Sequence, residues 1–217
     1  VGSNLVTSLL DDGHFVCVID DFSSGFLENL DPRANMIEAD LIKDRTYWWD
    51  ILKNIEVIYH LAAQARIQPS LKKPYFNMYN NLVSTLNILE WARKHSCQVI
   101  YAGSSSFYGG IYKSPYAFSK HQGEQMCRLY SEVYDLNTVV TRFYNVYGPN
   151  QIETGEYATV LGIWESQFRK GQPLTITGDG TQKRDFTHIY DLVAGLKLLL
   201  GGQYNADIFE FGKGESF

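Results

Sequence analysis

The sequence predicts an α/β fold, a parallel sheet with helices on both faces, and two observations carry this. Short apolar, β-rich runs take turns with longer helical segments along most of the chain, the order that builds strand–helix–strand units. Polar residues stand directly after several of those runs, at the carboxyl ends of the strands, where open parallel sheets hold their ligands.

The elements follow in order. Val1, Leu5, Val6, Leu9 and Leu10 share a helical face and Asp12-Gly13 closes it, so the chain opens inside a helix, without the strand expected before it. Residues 15–19 read as a buried strand that ends at Asp20-Asp21 and the loop Phe22-Ser23-Ser24-Gly25. Strands at 36–38, 57–60, 98–102 and 138–143 then alternate with helices at 44–53, 74–94 and 115–134. After Gly148-Pro149 the pattern loosens to a helix over 159–170, a short strand over 174–177, the Gly178-Asp179-Gly180 turn and a strand over 208–211. The expected division is a nucleotide-binding unit over 1–149 and a smaller substrate-binding region over 150–217, mixed with returning sheet elements and cut short at Phe217.

A chain of 217 residues with 45% hydrophobic and 20% charged residues has the make-up of an ordinary globular protein with a sizeable core. Its net charge of -5 argues against binding a phosphate backbone, and no basic stripe offsets it, so no nucleic-acid partner is expected. No apolar run approaches the roughly 20 residues of a membrane span, and no leader pattern opens the chain, so no membrane partner is expected and the cytoplasm is the default location. Cys17, Cys97 and Cys127 lack metal or disulfide spacing. The five histidines, His14, His60, His95, His121 and His188, show no H-x-x-x-H pattern, so no metal site is expected.

Asp20, after the second expected strand, is placed to accept hydrogen bonds from the two hydroxyls of an adenosine ribose, and its charge disfavours a 2′-phosphate. Gly2 suits a close approach of backbone to a pyrophosphate at a helix N-terminus. Tyr116 and Lys120, four residues apart, lie on one helical face. An ammonium and a cationic nicotinamide ring beside a phenol both favour its phenolate, which then serves as a base toward a sugar hydroxyl. Ser104, just past a strand, is placed to hydrogen-bond the same hydroxyl, whereas Ser105 and Ser106 are read as satisfying loop backbone.

Taken together these residues resemble the extended short-chain dehydrogenase/reductases, and within them the nucleotide-sugar epimerase and dehydratase group typified by UDP-glucose 4-epimerase. The resemblance implies a Rossmann-type, doubly wound sheet binding NAD. Val1-Gly2-Ser3-Asn4-Leu5-Val6 is similar to the end of the group's Gly-rich fingerprint, and the segment through Asp20, Asp21, Ser23, Ser24 and Gly25 to its ribose-binding run. Asp40-Leu41 matches the adenine-contacting pair, His60-Leu61-Ala62-Ala63-Gln64 the loop along the pyrophosphate and ribose, and Asn81 the asparagine of the following helix. Ala102-Gly103-Ser104-Ser105-Ser106-Phe107-Tyr108-Gly109 resembles the segment that supplies the catalytic hydroxyl, and Tyr116 and Lys120 fall on the group's Y-x-x-x-K. The resemblance assigns catalysis to Ser104, Tyr116 and Lys120, cofactor contacts also to Tyr116 and Lys120, and substrate contacts to Ser104, Ser105 and Tyr116. Asn145 of the R-x-x-N-V-Y-G-P stretch and Arg184 of Arg184-Asp185-Phe186 take the substrate diphosphate in the same reading.

Two departures narrow the chemistry. Only seven residues separate Tyr108 from Tyr116, a shorter loop than is usual in the group. Ser105 and Ser106 stand where the 4,6-dehydratases carry an Asp-Glu pair, which disfavours loss of water. The expected activity is therefore C4 epimerisation of a nucleotide-diphospho-sugar through a transient keto sugar, in a homodimer. The rivals are dehydratase, reductase or decarboxylase chemistry on the same scaffold, and a non-catalytic NAD-binding protein.

Overall fold

The computed structural model describes residues 1–216. Helix α1 (Gly2–Asp11) leads into β1 (Cys17–Asp20) and β2 (Asn35–Glu38), followed by α2 (Arg45–Ile51) and β3 (Val57–His60). Helices α3 (Ile67–Lys72) and α4 (Pro74–His95) precede β4 (Gln98–Ser104). A single turn, α5 (Ser106–Gly109), separates β4 from α6 (Pro115–Tyr134), after which come β5 (Thr138–Phe143) and β6 (Val146–Tyr147). The last elements are α7 (Val160–Arg169), β7 (Thr187–His188), α8 (Ile189–Lys197) and β8 (Asn205–Phe211).

All strand pairings are parallel: β1 with β2, β6 with β7, and a four-stranded sheet in the order β3-β4-β5-β8. Alternation along β4 divides the core. Val99 and Tyr101 pack with Trp48 of α2, Leu89 and Trp91 of α4, and Cys127 and Tyr130 of α6 on one face. Ile100 and Val139 pack with Leu5 and Leu9 of α1 and Leu192 and Leu196 of α8 on the other. Helices therefore cover both faces, which is why β4 and β5 read as nearly continuous apolar runs.

β1 bonds to β2 and β3 to β4, and the residues that follow these two strands, Asp20, Leu61 and Gln64, border one cavity at the strands' carboxyl ends.

The expected strand over 174–177 is absent: that segment has no strand partner, and its polar groups are taken by α7 instead. Trp164 Nε1 donates to the Thr175 carbonyl at 2.7 Å and the Thr175 N–H to Gln167 Oε1 at 3.0 Å. Helices α3, α5 and α8 lay outside the expected elements. Residues 205–211 do return to the main sheet, beside β5, as a longer strand than the apolar run alone suggested.

Candidate active site

The site lies where β1, β3, β4 and β5 end. Helix α6 begins there because Ser114 accepts the Ala117 N–H on its Oγ at 3.1 Å and Pro115, which has no N–H to satisfy, takes the first turn. That start puts Tyr116 at the open end of the helix and Lys120 one turn further in, 4% exposed. Ser104 closes β4, and its Oγ receives the Ser106 hydroxyl at 2.9 Å and the Ser106 N–H at 3.2 Å. Ser106 thus orients Ser104 and is more than a loop residue.

Burial pushes the Tyr116 phenol up, while its hydrogen-bond partner Ser104 and then the charge of Arg66 pull it back. The sequence assigned that task to Lys120. In the structure the Lys120 ammonium lies 4.3 Å from the centre of the Tyr101 ring, and Arg66 adds a cation whose charge favours the phenolate. Arg66 caps α3 at φ 85°, a conformation that favours glycine, and its Nε donates to the Tyr157 carbonyl at 3.0 Å. Nothing in the sequence around it signals that backbone. Burial pulls Lys120 down to about 8, with Glu124 opposing. His60, whose Nε2 lies 3.0 Å from Thr85 Oγ1, is pulled by burial and then by Lys120 to about 3 and is neutral.

Asp20 accepts the Phe22 N–H on Oδ1 at 2.8 Å, and its side chain faces the cavity beside Asp21, Ser23 and Ser24. Burial and then the Asp21 charge raise its carboxyl, the Phe22 N–H lowers it, and the outcome is a raised value. Gly25 packs against it: a Cβ there would meet Asp20 Oδ1 at 3.8 Å. Asp40 accepts the Ile42 N–H at 2.8 Å and pairs with Lys43 Nζ at 3.0 Å, which leaves Leu41 beside it on the cavity wall. The Leu61-Ala62-Ala63-Gln64 loop forms the facing wall. Asn81 is buried, accepting the Gln64 N–H at 2.7 Å and donating to Ser119 Oγ at 3.0 Å, so it shapes that loop while also lining the cavity.

Two expected diphosphate residues stand apart. Asn145 Nδ2 donates to the Asp185 carbonyl at 2.7 Å, and the exposed Arg184 donates to the carbonyl of its neighbour Lys183 at 2.7 Å. The structure joins neither to the Tyr116 cluster. Ser105 is half-buried at the start of the α5 turn.

The cavity's chemistry fits a dinucleotide. A carboxylate lines one wall and backbone-rich loops the other, and Gly2 faces both at the start of α1. A Cβ on Gly2 would meet Leu61 Cδ1 at 4.0 Å, so Gly2 stands against the loop that follows β3.

The model of the NAD dependent epimerase/dehydratase family matches residues 1–210. The chain belongs to this family. Its cofactor is NAD, and its chemistry is that of the nucleotide-sugar epimerase, dehydratase and decarboxylase enzymes. The UDP-glucose 4-epimerase of Mycolicibacterium smegmatis is 33% identical, covering 99% of this chain and 74% of its own. Among solved structures, the UDP-glucose 4-epimerase of Thermotoga maritima with UDP-glucose superposes with a TM-score of 0.93 at 30% identity, over 100% of this chain and 74% of that one. The dTDP-glucose 4,6-dehydratase DesIV of Streptomyces venezuelae, solved with NAD, gives 0.88 at 26% identity, over 100% of this chain and 73% of that one. The family's members thus share this scaffold across different reactions, and the choice among them rests on the residues of this chain.

Proposed function

We propose that the chain epimerises a UDP-hexose at C4 through a transient 4-keto sugar. The observation that carries this reading is the pair of hydroxyls at the end of β4, where Ser106 donates to Ser104 at 2.9 Å and Ser104 lies close enough to the Tyr116 phenol to lower it. Elimination of water needs an acid beside the leaving hydroxyl. The positions that follow Ser104 offer two more hydroxyls, and Glu124 is engaged by Arg142.

Bound NAD supplies a reversible two-electron acceptor for the hydrogen on C4. Tyr116, as phenolate, takes the proton of the C4 hydroxyl, and Ser104 lies in that proton's path. The carbon loses one hydrogen and its oxygen a proton, which leaves a ketone; the reverse transfer to the other face restores both and inverts the centre. Arg66 places positive charge near the tyrosine while its phenolate exists, and Lys120 stands one helical turn away for the cofactor. Asp20 favours the unphosphorylated ribose, and Arg184 and Asn145 serve the diphosphate once substrate is bound.

The test is a proton NMR time course of the full-length protein with NAD⁺ and, separately, UDP-glucose and UDP-N-acetylglucosamine. New anomeric signals of the galacto type are expected, with the rate falling by about 10²–10⁴ in Tyr116→Phe. Full activity of that variant, or no sugar conversion by the intact protein with cofactor bound, would sink the proposal.

A further inference from the structure

A buried charge network behind the tyrosine has no part in the reaction as described so far. Glu124 follows Lys120 by one turn of α6 and is 3% exposed. It holds Arg142 of β5 with both carboxylate oxygens, Nε to Oε1 at 3.1 Å and Nη2 to Oε2 at 2.7 Å. The Arg142 guanidinium lies 3.9 Å from the centre of the Phe107 ring, and its Nη1 donates to the Tyr108 hydroxyl at 3.1 Å. Phe107 and Tyr108 form the α5 turn that follows Ser104. Arg142 also pairs in register with Gly103, the residue before Ser104, and a Cβ on Gly103 would come within 2.7 Å of Glu124 Oε1. Glu124 is therefore seated against the strand end that presents Ser104. On the far side, Glu210 of β8 lies 3.7 Å from Arg142 Nη1 and accepts the hydroxyls of Tyr108 and Tyr144.

We propose that Glu124 is a positioning residue for the Ser104–Tyr116 chemistry, acting through Arg142 on the turn that carries Ser104 and through its own charge on Lys120. The proposal rests on the epimerase reading for its rate measurements but not for its effect on Lys120. The groups facing Lys120 are Glu124 and Cys127 of its own helix, His60 of β3 and Tyr101 of β4. Burial keeps three of them neutral: it lowers His60 to about 3, raises Cys127 to about 12 and raises Tyr101 well above its ordinary value. Glu124, one turn from Lys120 on the same buried helix face, is then the acidic group placed to favour the protonated lysine. Glu124 itself faces Lys120, Arg142, Tyr101 and His121, whose Nδ1 stands 3.7 Å from Oε2 and has no hydrogen-bond partner among the described residues.

The experiment follows the Lys120 side chain by ¹³C NMR through a pH titration in the full-length protein, together with the pH dependence of kcat. Glu124→Gln retains the shape and an acceptor for Arg142 but removes the charge. Its Lys120 midpoint is expected to fall by about one pH unit or more, with the alkaline limb of kcat moving down alongside it. Glu124→Asp, which keeps the charge one methylene away, is expected to shift the midpoint less and in the same direction while lowering kcat, and it decides the matter if the glutamine variant does not fold. An unchanged midpoint in whichever variant folds overturns the proposal. Loss of all sugar turnover in the intact protein would fail the epimerase reading alone, because the lysine titration is read without substrate.

Discussion

Strands β4 and β1 are similarly apolar, yet their surroundings differ. Every residue of β4 is buried, whereas β1 is half-buried at Cys17, Val18 and Ile19 and exposed at Asp20. β4 has a strand on each side and helices on both faces, whereas β1 has one strand neighbour among the described residues. Strand identity is thus written in local sequence, while burial is conferred by neighbours.

The largest effect expected from this contrast lies at its boundary, on His60, the only buried residue of β3. Its folded value of about 3 lies below the roughly 6.5 of an unfolded chain, so between those values the unfolded state holds a proton that the folded state does not. Stability from this source is complete above about pH 6.5 and declines as the pH falls toward 3, by on the order of 5 kcal/mol. Denaturation of the protein and of His60→Gln across that window should show a flatter slope in the variant; parallel slopes would break the assignment.

The core itself offers the next test. Ile100→Ala in β4 removes a side chain that is 0% exposed and should cost about 2–5 kcal/mol in urea unfolding. A loss well below that range would mean that the core around β4 is loosely packed. The smallest effect belongs to the cleft: Asp20→Asn should weaken NAD binding about tenfold by calorimetry with little change in melting temperature. Unchanged affinity would remove Asp20 from the cofactor site.

Much of this was open to the sequence. The helix holding Tyr116 and Lys120 runs over the expected residues, because Ser114 and Pro115 mark its start by local chemistry. The polar residues after β1 and β3 do line one cavity. What escaped prediction depended on distant partners. Residues 174–177 form no strand because none lies alongside, and the contact of Lys120 with the Tyr101 ring depends on a strand far away in sequence. Arg66 was hidden behind a backbone angle that no neighbouring residue announces. Glu124 was within reach of pattern reading, since Tyr116, Lys120 and Glu124 recur at intervals of four, but its partner Arg142 sits on another strand.

Helix α4 turns an unusual row of residues inward: Asn77, Asn81, Ser84, Thr85 and Asn87 are all buried. Asn77 Nδ2 donates to the Gln64 carbonyl at 2.6 Å, Asn81 reaches both Gln64 and Ser119, and Asn87 Nδ2 donates to the Leu41 carbonyl at 2.9 Å. An apolar row would let the helix slip or roll by a fraction of a turn at small cost, because grease fits grease in many ways. A row of amides does not, since any slip strands donors away from water. The amides work like the wards of a lock: they admit a single alignment of α4, and with it a single spacing between the wall at Leu41, the loop at Gln64 and the helix of Tyr116.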